Sequence, residues 1–129
     1  MPTIKEKIID VFQNRIGEEF DREEIIDLVV HKYPETNRGS VIPSDYCYNM
    51  VNTGINFNFH FFESLGEREG RYRCIGQYKP YNGSIYCKPI GATCEQVGEW
   101  KAGIFRLWDN APPNLLRRCG VDQWIDPRK

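Results

Sequence analysis

The sequence is short of the features that mark several large protein classes. No apolar run approaches the roughly 18 residues of a membrane span, and the opening MPTIKEKIID lacks the apolar centre of an export signal. A cytoplasmic protein with no membrane partner is expected. Histidine is scarce, only His31 and His60, and the five cysteines (Cys47, Cys74, Cys87, Cys94, Cys119) contain no C-x-x-C pair. A metal site would have to gather scattered ligands, and buried reduced thiols are the simpler expectation. No G-x-x-x-x-G-K or G-x-G-x-x-G phosphate loop occurs, so no cofactor is indicated. An excess of basic charge is also missing: 17 Lys+Arg stand against 18 Asp+Glu, a net charge of -1. That balance argues against non-specific coating of nucleic acid, which neutralises many phosphates at once, but not against a local basic patch.

What is present fits one folded unit. The 129 residues, 40% hydrophobic and 13% aromatic, suffice for a single core. Charge is graded along the chain. Residues 1–36 hold five Lys/Arg and nine Asp/Glu, residues 37–82 five and four, and residues 83–129 seven and five.

TIKEKIIDVFQNRIG spaces Ile4, Ile8, Val11 and Phe12 as a helix does, with Thr3 and Glu6 able to form a capping box and Gly17 a stop. EFDREEIIDLVVHKYP repeats the arrangement with Asp21 and Glu24, an apolar face of Ile25, Leu28 and Val29, and Pro34 as terminator. In RGSVIPSDYCYNMVNTG, residues 38–54, Ser40 is placed to cap a third helix that tolerates Pro43 in its first turn and ends at Gly54. Its register would put Pro43, Cys47, Met50 and Val51 inward and Ser44, Asp45, Tyr48, Asn49 and Asn52 outward. INFNFHF alternates as a half-buried strand, with His60 on the polar side, and RYRCIGQY returns as its partner after GEREGR. SIYCKPIG, TCEQVGEW and IFRLWD read as further strands, followed by a short helical turn near Leu115 and a loose basic end.

Helix, helix, helix, strand, basic turn and returning strand is the order of a winged helix-turn-helix, and the chain resembles that family over residues 3–78. The stretch IPSDYCYN is also similar to winged-helix modules that accompany prokaryotic restriction-type endonucleases. The resemblance implies an α+β fold, with a three-helix winged-helix domain over 1–82 and a β-hairpin extension over 83–129 packed on it. It also implies a double-stranded DNA partner, read with sequence preference by a small regulator or the targeting module of a defence system. Base readout would then fall to Ser44, Asp45, Tyr48, Asn49 and Asn52, and backbone contact to Arg38, Arg68, Arg71, Arg73 and Lys79, extended by Arg22.

Other readings compete. A polar outer helix face is ordinary, the third helix itself carries no Lys or Arg, and Arg68 and Arg71 alternate with Glu67 and Glu69. A homodimer built on Trp100, Phe105, Leu107 and Trp108 would supply missing affinity, although such residues are ordinary core. An alternative is a protein-binding adaptor that uses the acidic Glu18, Glu19, Asp21, Glu23, Glu24 and Asp27, charges that also suit a helix N-terminus. Catalysis is not expected. The nearest signature is Glu99-x-Lys101 with Asp109, the pattern of a metal-dependent nuclease, and it arises easily by chance in a chain this rich in charge.

Overall fold

A computed structural model describes residues 2–52, 57–65, 71–87 and 94–128. Its elements in chain order are α1 (Ile4–Phe12), β1 (Glu19–Asp21), α2 (Arg22–Lys32), two 3₁₀ turns (Arg38–Ser40 and Pro43–Tyr46), β2 (Met50–Val51), β3 (Phe62–Ser64), β4 (Arg71–Cys74), β5 (Gly83–Cys87), β6 (Glu95–Lys101), β7 (Ile104–Leu107) and α3 (Pro113–Cys119). Two sheets form, one ordered β1-β4-β3 and one β2-β5-β6-β7.

Both N-terminal helices start at reciprocal caps. Thr3 and Glu6 close one capping box, and Asp21 and Glu24 the other. Each box satisfies first-turn amides that have no partner within the helix. The helices bury Ile8 and Phe12 from α1, and Ile25, Ile26 and Val29 from α2, against Phe20, Phe62, Tyr72 and Cys74 of the first sheet. Phe12 meets Phe20 and Phe62 edge-on at 5.3 Å each.

A second cluster gathers Tyr48, Val51, Phe57, Ile85, Val97, Trp100, Phe105, Leu107 and Leu115 around the other sheet. Gly98 of β6 admits β7 closely, since a Cβ there would overlap the Arg106 carbonyl oxygen. The aromatic residues considered above for a dimer face are therefore mostly core: Trp100, Phe105 and Leu107 are buried.

The three-helix winged-helix arrangement is not what forms. Residues 38–52 make no α-helix; they run through the two 3₁₀ turns into β2, which pairs in parallel with β5. The cause is local. Pro43 disfavours helical backbone at the preceding residue, and Ile42 accordingly takes φ -118°, ψ 92°. The β-branched Val41 and Ile42, followed by Ser, Asp, Tyr, Cys, Tyr and Asn, add little helix propensity to oppose that. The strand-rich remainder is no appendage either. Tyr48, Val51 and Phe57 belong to the second cluster, so the two clusters share the stretch before residue 82.

The aromatic stretch departs from expectation too. Residues 57–61 are not a strand, and Phe57, Phe59, His60 and Phe61 are all buried. Phe59 and Phe61 serve the first cluster, while Phe57 serves the second and meets His60 edge-on. A segment threaded between two cores has no wet face. Toward the C-terminus, Phe105 and Ile125 exchange both backbone hydrogen bonds.

Candidate ligand cavity

The residues expected to read DNA are committed to the protein itself. Asn49 donates from Nδ2 to the Ser64 carbonyl at 2.8 Å and accepts from the Ser64 amide at 2.9 Å, so its carboxamide mimics a strand residue along the edge of β3. The Asn49 carbonyl meanwhile accepts from the Tyr86 amide of β5. One residue thus ties the two sheets. Asn52 donates to Ser44 and to Asp45 at 3.1 and 2.6 Å, and Tyr48 is 1% exposed.

The arginines are equally occupied. Arg38 bonds Asp27 and Glu23 at 2.8 and 2.9 Å, Arg71 lies near Glu19 and Glu24, and Arg73 bridges Glu19 and Glu63. The acidic N-terminal third is thereby partly neutralised within the molecule, which also draws on the charges considered for an adaptor surface. Arg68 lies outside the described residues. Of the nuclease-like trio, Glu99 is paired with Arg106 on the neighbouring strand, whereas Lys101 and Asp109 are exposed. Among the described residues no cluster of His, Cys, Asp or Glu is arranged to hold a metal.

What the fold does assemble is a cavity of about 150 Å³ lined by Tyr48, His60, Trp100, Lys79, Ala102 and Arg128, with Tyr78, Pro80, Gly103 and Pro127 completing it. Distant segments converge here: the strand-like residues before β2, the threaded aromatic stretch, the β4–β5 link, the β6–β7 turn and the C-terminal return. That turn has φ of +52° at Ala102 and +81° at Gly103, both in the left-handed region that suits a tight hairpin. It is bonded to the β4–β5 link through Gly103 N to Tyr81 O and Ala102 N to Asn82 Oδ1.

The floor is aromatic and fixed. Tyr48 stacks on Tyr81 at 4.8 Å and meets Trp100 edge-on at 5.2 Å. Its hydroxyl donates to the Gly76 carbonyl and accepts from the Lys79 amide, and the Trp100 indole N–H donates to the Tyr48 carbonyl. Gly76 is required at this corner: its φ is +102°, and a Cβ would sit 3.0 Å from Lys79 Cε and 3.1 Å from Ile16 Cδ1.

His60 is the unusual member of this wall. It is 4% exposed and surrounded by Phe57, Trp100 and Tyr48 at ring distances of 4.2, 4.9 and 5.4 Å. Its hydrogen bond to the Phe57 backbone leaves Nε2 buried with no partner. Burial pushes its pKa down to about 3, outweighing the Phe57 bond that favours the charged form. At neutral pH the ring is therefore uncharged and Nε2 is a bare acceptor. Two cations stand at the rim. Arg128 is bonded to Asp126 at 3.0 and 3.1 Å, whereas Lys79 takes part in no ion pair among the described residues.

The sequence pattern pointed to Lys79 as a backbone contact and set Tyr48 on the outside, His60 on the polar side of a strand and Trp100 on a dimer face or in the core, while Arg128 drew no role. Only the chance adjacency of aromatic and basic residues in QYKP hinted at the rim.

A small two-sheet domain with an aromatic-walled cavity among its described residues is thus what fold and site define. Residues 3–107 match the family model described as "Domain of unknown function (DUF7225)", and the chain belongs to that family. Among curated proteins it is similar to the "Uncharacterized protein YnaC" of Bacillus subtilis (strain 168), 39% identical over 113 residues, which cover 87% of this chain and 42% of that protein. The chain therefore spans less than half the length of this relative. No solved structure matches. Among the described residues no helix is long and apolar enough to cross a membrane.

Proposed function

We propose that this domain is a binding module whose cavity takes the planar base of a nucleotide unit, with the anionic phosphate at its cationic rim. The supporting observation is a cavity walled by Tyr48, His60 and Trp100 beside Lys79, which makes no ion pair among the described residues. A flat ring suits the walls, and a phosphate suits Lys79 with Arg128. A quaternary ammonium would also suit an aromatic wall, but the cationic rim repels it. This reading keeps the nucleic-acid role expected from the sequence and moves it from a helix to a cavity. An adaptor that seats an acidic side chain of a partner protein is its competitor.

The test is a nuclear magnetic resonance titration with 5′-mononucleotides and the matching nucleosides. Indole and amide resonances of Trp100, Ala102 and Gly103 are expected to shift, with nucleotides binding at least about threefold tighter than nucleosides, the scale of a partly exposed ion pair. Lys79→Ala abolishes that preference. Nucleotides that leave these resonances still up to about 10 mM, a free energy of under about 3 kcal/mol, overturn the reading. An acidic peptide that shifts them instead establishes the adaptor.

A further inference from the structure

We infer that the occupant is one unstacked base within a nucleic-acid strand, taken into the cavity while its neighbours in the strand cross Tyr78, Lys79 and Arg128 outside. This inference rests on the nucleotide reading above and goes beyond it in naming the polymer.

Size comes first. At roughly 30 Å³ per water, a cavity of about 150 Å³ holds about five waters. That is room for a ring or a terminal group, well below the ~300 Å³ at which whole small-molecule sites begin. Sugar and phosphate must remain outside, where Tyr78, Lys79, Pro80, Ala102 and Arg128 are all exposed. Nothing among these residues closes over a ligand, so a chain can continue in both directions.

The mouth supplies the second observation. Tyr78 is 49% exposed, among the most exposed large apolar side chains of the described residues, and Ile16, 47% exposed, reaches the neighbouring Gly76. Of the three described non-glycine residues with positive φ, Tyr78 at +56° and Ala102 at +52° both line this cavity. Strained backbone of this kind persists where the surroundings enforce it and concentrates at functional sites. An exposed ring beside a base-sized cavity and two cations is the equipment of single-strand recognition, in which one base is enclosed and the next stacks.

The experiment uses the full chain and short oligonucleotides carrying 2-aminopurine, presented as single-stranded DNA, as single-stranded RNA, as a duplex with the fluorescent base mismatched, and as a fully paired duplex. Expected is binding at least about tenfold tighter to the three unpaired forms, or to one strand type with the mismatch, than to the paired duplex, because extruding a paired base carries an unpairing cost. The DNA and RNA arms decide which sugar is preferred. Tyr78→Asn, a residue that tolerates left-handed backbone, weakens strand binding about fivefold or more, a larger factor than its effect on mononucleotide binding. Paired duplex bound as tightly as single strand, or strands bound no tighter than a mononucleotide, overturn the inference and leave the nucleotide reading standing. Strand binding that does not disturb Trp100 and Gly103 overturns it as well. Failure of both mononucleotides and strands removes both.

Discussion

The two clusters treat their polar groups differently. Around α1, α2 and the first sheet, nearly every polar group has been answered. Both helices carry closed capping boxes, Arg38, Arg71 and Arg73 each face two carboxylates, and the buried Lys7 ammonium bonds Thr36 at 2.8 Å with Glu35 nearby. Around the second sheet the ring-rich core leaves polar groups over. The buried side-chain atoms without a hydrogen-bond partner among the described residues, His60 Nε2 and Arg106 Nε, both lie there, as does the cavity. A buried polar atom left without a bond costs about 1–3 kcal/mol, and proteins rarely retain that cost without a use. The lesson is that a net charge of -1 averages a self-neutralised region with one that keeps part of its bonding capacity open.

Removing a keystone of the saturated region has the largest effect. Phe12→Ala empties a fully buried site between two rings and is expected to cost about 3–5 kcal/mol. All three tryptophans, Trp100, Trp108 and Trp124, lie in the second half of the chain, whereas α1 and α2 supply most of the helix. Fluorescence and far-ultraviolet circular dichroism thus watch different regions. Coincident denaturation curves in the variant are expected from the shared segment 57–62, and separated curves would show that the clusters unfold independently.

Acid acts on the open region. With a folded pKa of about 3 and an ordinary value of 6.5, His60 is protonated in the unfolded chain but not in the folded one between those limits. Stability contributed by the neutral ring is complete above pH 6.5 and falls as pH decreases, by up to ~1.4 kcal/mol per pH unit. Urea midpoints measured from pH 7 to 4 should show this slope, and His60→Phe should flatten it. A slope retained in the variant would place the acid sensitivity on other groups.

The smallest of the three effects falls at the joint between the regions. Asn49→Ala deletes both bonds to the Ser64 backbone and is expected to cost about 1–2 kcal/mol. Hydrogen exchange at the Ser64 amide should quicken, while amides of β6 and β7 stay protected. Equal quickening across both sheets would mean that the residue carries more of the fold than its two bonds suggest.

Much of the saturated region was legible in the sequence because its signals are local. Thr3 with Glu6, Asp21 with Glu24 and the apolar spacing behind them mark α1 and α2 within a dozen residues each. The strands β5, β6 and β7 were legible for the same reason, through their turns. The segment 38–54 misled because its polar residues fit the outer face of a helix equally well as a mutually bonded set, Ser44 and Asp45 with Asn52. Alternation at 57–61 misled because period-two spacing implies one wet side only when a single core is present. Here Phe59 and Phe61 turn to one core and Phe57 with His60 to the other. The cavity was beyond reach, since its lining spans residues 48 to 128 and no short window contains its geometry.

The antiparallel bridge between Phe105 and Ile125 has a consequence for the molecule in a crowd. The outer strand of a sheet is a template on which a second chain can grow, and aggregation commonly begins there. By bringing Ile125 back against that rim, the polypeptide occupies part of the template with its own backbone, a guard against sticking to copies of itself.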